Sequence, residues 1–171
     1  DALGPEGEYV RTGLDLGVAL KNFEYVLNNT NIEQGINSAL TVTAVPGMPA
    51  MVRYINECNK IKPIYWSMMK ANQHEIGPRE YMYPGIFGNK INNWGLREAV
   101  ESFDTTSHGQ PDSVKEIYKT YMQGIMAEFD KREPSLLRQK QLKIYLNELD
   151  RRRATDWKSV YPQIWEEVKN L

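Results

Sequence analysis

Residues able to do covalent or metal chemistry are sparse in this sequence. Cysteine occurs once, as Cys58, and histidine twice, as His74 and His108. One thiol excludes an intrachain disulfide framework, a paired-cysteine zinc site and a complete iron–sulfur site within the chain. A metal site takes three or four convergent ligands, so His74 with Glu75, and His108, read as loop residues. No Gly-x-Ser-x-Gly elbow is present, which removes a Ser–His–Asp hydrolase. Binding chemistry remains. Arg11 offers a guanidinium fork of the kind that grips a carboxylate bidentately. Asn37, Ser38, Thr41 and Thr43 put four hydrogen-bonding side chains in one short stretch. Tyr81, Tyr83, Phe87 and Trp94 interleave with Lys90 and Arg97, a mixture that can stack on bases or a peptide. It reads better as a hydrophobic lid. Trp66 and Met68 are types more often used as core. Arg151, Arg152 and Arg153 sit where cations favour a helix C-terminus.

The elements that must position these groups follow from periodicity. Residues 1–13 hold three glycines and a proline and read as loop. Leu16, Leu20, Phe23, Val26 and Leu27 recur at helical spacing, and Asn28 to Asn31 stop that helix. Gln34 to Val45 is rich in β-branched residues and reads as a strand. Pro46 to Pro49 turn the chain. Met51, Val52, Tyr54, Ile55 and Cys58 mark a second helix ending near Lys62. Pro63 to Met69 is a short apolar run, the pattern of a buried strand. Helices of this length between strands suggest parallel β/α units. Lys70 to Asn93 is a long irregular stretch, a length usually tied to function.

Beyond it the pattern turns helical. Trp94 to Phe103 reads as a helix, and Thr105 to Pro111 as a linker. Val114, Ile117, Tyr118, Tyr121, Met122, Ile125 and Phe129 form the next stripe. Glu133-Pro134-Ser135 opens a helix whose course is marked by Leu137, Gln141, Ile144, Tyr145 and Leu149. A short segment starts at Asp156-Trp157. The expected fold is α/β: a partial, open β/α barrel with parallel strands over residues 1–93, followed by a helical part over 94–171.

Length and charge set the outer bounds. The 171 residues make one domain or part of one. Lys and Arg number 21 against 22 Asp and Glu, for a net charge of −1, which argues against a nucleic-acid partner. Hydrophobic residues at 41% suffice for a packed core. No run reaches the ~18 apolar residues of a membrane span. The expected setting is reducing and cytoplasmic.

Four segments carry a family resemblance. Asp1-Ala2, followed by Glu8-Tyr9-Val10-Arg11, resembles the end of the fourth barrel strand and the start of the next helix in radical S-adenosylmethionine enzymes. Leu149-Asp150-Arg151-Arg152-Arg153, then Asp156-Trp157 and Tyr161-Pro162-Gln163-Ile164, resembles the closing motif of members with a shortened auxiliary, or twitch, region. Tyr65-Trp66 and the later Tyr83-Pro84 to Lys90 are similar to the strand and Pro-rich loop of the same group. The likeness covers nearly the whole chain. The CxxxCxxC segment that holds the 4Fe–4S cluster, and the Gly-Gly-Glu segment that receives the methionine amine, are both absent from it.

The resemblance implies that this is the C-terminal half of such an enzyme, not catalytic by itself. The parent would bind S-adenosylmethionine and a 4Fe–4S cluster and generate a 5′-deoxyadenosyl radical. The chain itself is assigned neither metal nor cofactor. Implied cofactor contacts are Asp1 to the ribose, Arg11 to the carboxylate, Asn37 and Thr41 to ribose or methionine groups, and Trp66 to adenine or the substrate wall. The implied partner is the missing N-terminal half of the polypeptide, with dimerisation of the isolated chain as another way to cover its open edge. Two other classes stay open: a stand-alone interaction module using the helices from Val114 to Leu149, and a cluster-free nucleotide-binding protein.

Overall fold

The computed structural model describes residues 2–70, 77–103 and 112–171. The described chain is mostly helical, with one small two-stranded parallel sheet. Helix α1 spans Pro5–Val10 and α2 Leu16–Asn29. Strand β1 spans Gly35–Leu40, α3 Met48–Ile61 and β2 Tyr65–Lys70. Helices α4 (Leu96–Glu101), α5 (Asp112–Asp130), α6 (Leu136–Arg153), α7 (Trp157–Val160) and α8 (Pro162–Val168) follow.

The β–α–β reading of the first half matches this order, with β1 and β2 paired in parallel and α3 as the crossover. Helix α2 starts where Asp15 accepts a hydrogen bond from the Val18 amide (2.9 Å), an N-cap that satisfies one of the orphan donors. Its Phe23 ring meets Tyr54 of α3 at 6.1 Å. Helix α3 opens with Pro49 in its first turn, where the missing amide costs nothing. It buries Met48, Met51, Val52, Ile55 and Cys58. It docks on α4 through Asn56, whose amide donates to the Ser102 carbonyl (2.7 Å).

Three expectations are corrected. The glycine-rich start is not all loop, because Pro5 in the first turn, with Glu6 and Glu8 at the positive end of the dipole, makes α1. Gly7 is required within it, since a Cβ there would come within 2.3 Å of the Ala2 carbonyl. The strand expected over 34–45 stops at Leu40, and a 3-10 turn spans Val45–Gly47. Just before it the Ala44 amide bonds back to Thr41, so the β-branched Val42, Thr43 and Val45 are buried in a turn. Of the residues expected to mark α6, Tyr145 and Leu149 pack against the core and two others do not. Gln139, Leu142 and Leu146 are buried, while Leu137 and Ile144 are 62% and 67% exposed. The Gln139 amide donates to the Ile86 carbonyl (2.8 Å), a polar anchor on the buried face of the helix.

The long stretch before α4 is ordered where described. It forms 3-10 runs at Gly77–Met82 and Pro84–Trp94, broken at Gly88. Gly88 has φ 59° and ψ −142°, and a Cβ there would lie 2.7 Å from the Arg132 carbonyl. This segment packs against α4, α5 and α6. Asn92 donates to the Met126 carbonyl of α5 (3.0 Å), and the Tyr83 and Phe129 rings meet edge-on at 5.8 Å. One hydrophobic cluster, from Tyr9 to Val168, runs through both the 1–93 and 94–171 portions.

The two ends of the chain are tied together at Asp150. Its carboxylate accepts from the Tyr9 hydroxyl (2.9 Å), the Thr155 hydroxyl (2.8 Å) and the Trp157 amide (2.9 Å). Arg153 donates to the Tyr9 carbonyl (3.0 Å), and the buried Tyr161 hydroxyl donates to the Glu6 carbonyl (3.1 Å). The closing motif of the sequence is therefore a structural clasp. Its Arg151 and Arg152 both reach back to Glu148, and those hydrogen bonds hold the Glu148 carboxyl down to about 2.

Two predictions follow from this packing. Asp150→Ala strands three donors and is expected to lower stability by about 3 kcal/mol, read as a shifted urea midpoint at unchanged slope. Burial also raises the hydroxyl pKa of Tyr9, Tyr54, Tyr83 and Tyr161. The folded values exceed the unfolded value of about 10. Their contribution is therefore complete below that pH and is lost as pH rises through the folded values. Ultraviolet titration is expected to show a group of the ten tyrosines ionising only as the circular dichroism is lost. Ionisation of all ten with the fold intact would contradict it.

Candidate functional site

The sheet has two unlike faces. In the register Ile36↔Trp66, Asn37↔Ser67 and Ser38↔Met68, alternate residues point opposite ways. The even-numbered face is covered. Trp66 is 2% exposed, lies against the Phe103 and Tyr118 rings (6.2 and 5.7 Å), and donates its indole N–H to Ser38 Oγ at 3.1 Å. The odd-numbered face is open except at Ala39, which is half-buried. Gly35, Asn37 and Ser67 are exposed, and Tyr65 and Met69 are 62% and 69% exposed. A parallel sheet normally has both faces covered, so this bare face is the most conspicuous unfilled surface of the described fold.

The bare face is chemically mixed. Asn37 and Ser67 stand side by side on adjacent strands and offer a carboxamide and a hydroxyl, donors and acceptors both. Tyr65 and Met69 flank them with apolar surface. At the carboxyl end of β1, Thr41 and Thr43 share a hydroxyl–hydroxyl hydrogen bond (3.1 Å). That end is roofed by the 3-10 segment, because the Val42 amide donates to the Met82 carbonyl (2.8 Å).

The residues singled out from sequence scatter over this geometry. Asn37 is on the bare face, and Thr41 lies just past the end of its strand, half-buried. Trp66 belongs to the covered face, where its ring is taken up by core. Arg11 caps α1 and lines a pocket of ≈ 330 Å³ with Leu3, Leu14, Leu16 and Met51, none of which belongs to the sheet. Asp1, His74, Glu75 and His108 lie outside the described residues. Ser67 and Met69 were passed over; strict alternation around Trp66 is the signal that places them.

A second pocket, ≈ 290 Å³, lies between the Gly77–Met82 segment and the start of α6. Most of its polar groups are engaged with one another or with neighbours. Arg138 pairs with Glu80, the Tyr83 hydroxyl bonds Glu128, and Arg132 lies 4.6 Å over the Tyr83 ring. The aromatic–basic cluster is thus divided between this clasp and the core, where Phe87 packs on Trp94 at 4.7 Å.

No group of three His, Cys, Asp or Glu side chains fit to hold a metal occurs among the described residues. Cys58 is 2% exposed, and burial pushes its thiol pKa up, the opposite of what a metal-binding or reactive thiolate needs. Comparison with family models, with curated proteins and with solved structures gave no match.

The two faces respond differently to substitution. Removing the Trp66–Ser38 bond in a double-mutant cycle (Trp66→Phe, Ser38→Ala) is expected to give a coupling of about 1 kcal/mol. Asn37→Ala and Ser67→Ala are expected to shift stability by less than about 0.5 kcal/mol. Thermal and urea unfolding of the five variants, the Trp66→Phe/Ser38→Ala double included, check this.

Proposed function

We propose that this chain is the C-terminal part of a radical S-adenosylmethionine enzyme. In this reading β1 and β2 are two strands of a partial β/α barrel, and the chain supplies cofactor and substrate-side surface rather than the cluster. The observation that carries the reading is the parallel β1–α3–β2 unit with helices on one face and a bare, polar-centred face on the other. A barrel wall has this asymmetry, helices outside and a functional interior. The resemblance of the first and last segments supports it independently of the sheet.

The chain's residues do not fit the cluster. A 4Fe–4S site takes three or four thiolates, and Cys58 is single and buried. The cluster therefore falls to polypeptide outside these residues, and this chain's share is binding and shape. Asn37, with Ser67 beside it, can donate to and accept from the vicinal hydroxyls of a ribose. Met69 and Tyr65 give an apolar border that excludes water from one side. Thr41 stands at the carboxyl end of the strand, the end where parallel β/α folds hold their ligands.

The test uses the open frame that encodes this chain, expressed from its natural start. If the frame carries CxxxCxxC, anaerobic reconstitution is expected to yield a protein that releases 5′-deoxyadenosine from S-adenosylmethionine under reduction. Asn37→Ala in that protein is expected to weaken S-adenosylmethionine binding by about tenfold, the size of one good hydrogen bond, with the unfolding midpoint unchanged. A frame without the cysteines removes the reading for this chain.

A further inference from the structure

We infer that the solvent face of α6 is a docking surface for an acidic amphipathic helix of a partner protein. The inference does not rest on the barrel reading.

Helix α6 buries one face through Gln139, Leu142 and Leu146. Leu137, Ile144 and Arg151 recur every seven residues and lie on the opposite face, because seven residues bring an α-helix back to within about 20°. All three are exposed, and Leu136 adds another exposed apolar side chain in the first turn. An isolated exposed leucine is ordinary. Apolar residues at the repeat of a helix–helix seam, on the side the core does not use, make an anchor face. The line ends in a concavity, since Leu137 also borders the ≈ 290 Å³ pocket with Ile86, Arg132 and Arg138. A partner side chain seated there is taken out of water. The Gln139 hydrogen bond to the Ile86 carbonyl fixes the far side of the helix, so the face is presented without rearrangement.

The sign of the partner follows from the charges beside the stripe. Lys140 lies along one edge of it and is exposed, and no carboxylate among the described residues pairs with it. Arg151 and Arg152 share the single carboxylate of Glu148 (2.8 and 2.7 Å). Glu133 lies before the helix, and Arg138 is neutralised by Glu80. The middle and end of the face are therefore positive in a chain whose net charge is −1. Lys140 and Arg151 stand about 16 Å apart along the axis, a distance that carboxylates three turns apart on a second helix match. A second copy of this chain fits worse. An antiparallel α6 pair with Leu137 opposite Ile144 brings the two Lys140 ammonium groups together, and like charges oppose that docking. An anionic membrane also fits worse, because recruitment to its surface takes clusters of about four to eight cations.

Methyl chemical shifts of the full chain read the docking directly. The probe is a synthetic helical peptide of about three heptads, with one Leu in each heptad flanked by Glu. Its titration is expected to shift the Leu137 and Ile144 methyl signals, to leave those of Leu142 and Leu146 in place, and to saturate at roughly 10–100 μM. The same peptide with Lys in place of Glu is expected to bind at least ~10-fold more weakly. Lys140→Glu is expected to shrink that preference at least ~3-fold, and Ile144→Gln to abolish binding, both with the urea midpoint unchanged because the side chains are exposed. No shift up to about 1 mM peptide overturns the proposal. Equal affinity for the two peptides also overturns it, since apolar contact alone then accounts for binding. Dimerisation of the chain in sedimentation that Ile144→Gln removes makes a second copy the occupant and overturns the acidic partner. Binding to phosphatidylserine vesicles that the same variant loses does so in favour of a membrane.

Discussion

Asp150 holds the molecule closed. A carboxylate that accepts a hydroxyl from α1, a hydroxyl from the turn after α6 and the first amide of α7 joins groups from the two ends of the sequence. Around it the Tyr9 and Tyr161 rings meet edge-on at 5.4 Å, and Arg153 and Tyr161 cap carbonyls of the first helix. With α1 fixed there, Ala2 is pressed on the turn after β1 and Gly47 has no room for a side chain. The position of the first residues is thus tied to contacts made near the other end of the sequence. A charged acceptor with three donors is a strong local tie, and it is directional in a way that apolar burial is not.

The sheet shows how far alternation carries an argument. Parallel pairing of a strand near residue 36 with one near residue 66 was legible, because β-branched and apolar runs flank a helix of crossover length. The end of β1 was not. Thr41, Val42, Thr43 and Val45 have strand propensity, yet tertiary packing places them in a buried turn under Met82. Propensity reports fit to a half-buried surface rather than an extended backbone as such. The α6 face failed for a related reason. Leu137 and Ile144 have the right spacing, but the buried face carries Gln139, bonded to a carbonyl fifty-three residues away, beside Leu142 and Leu146, and no periodicity records that.

The candidate site was legible in part. Asn37 was found because it is polar within a strand, and it does lie on the bare face. Trp66 was read by residue type and fell on the other face, one residue from Ser67, which sits where Trp66 had been expected to act. The closing motif was read through resemblance as an identifying tag, whereas its side chains work as a clasp. Asp1 and the loop histidines fall outside the described residues and add nothing to the geometry.

The split character of the two strands has a consequence for how this sequence can drift. Neighbouring codons in β1 and β2 answer to opposite demands. Positions 36, 38, 40 and 66 must keep volume and the indole–hydroxyl contact, whereas 37, 65 and 67 are exposed and held only by whatever meets the bare face. Substitution tolerance along each strand should therefore alternate like the teeth of a saw. The tall teeth on the bare side would be sharp in a cell that needs the activity and flat in an assay that reads folding alone. The difference between those two profiles would outline the functional surface residue by residue, before its ligand is known.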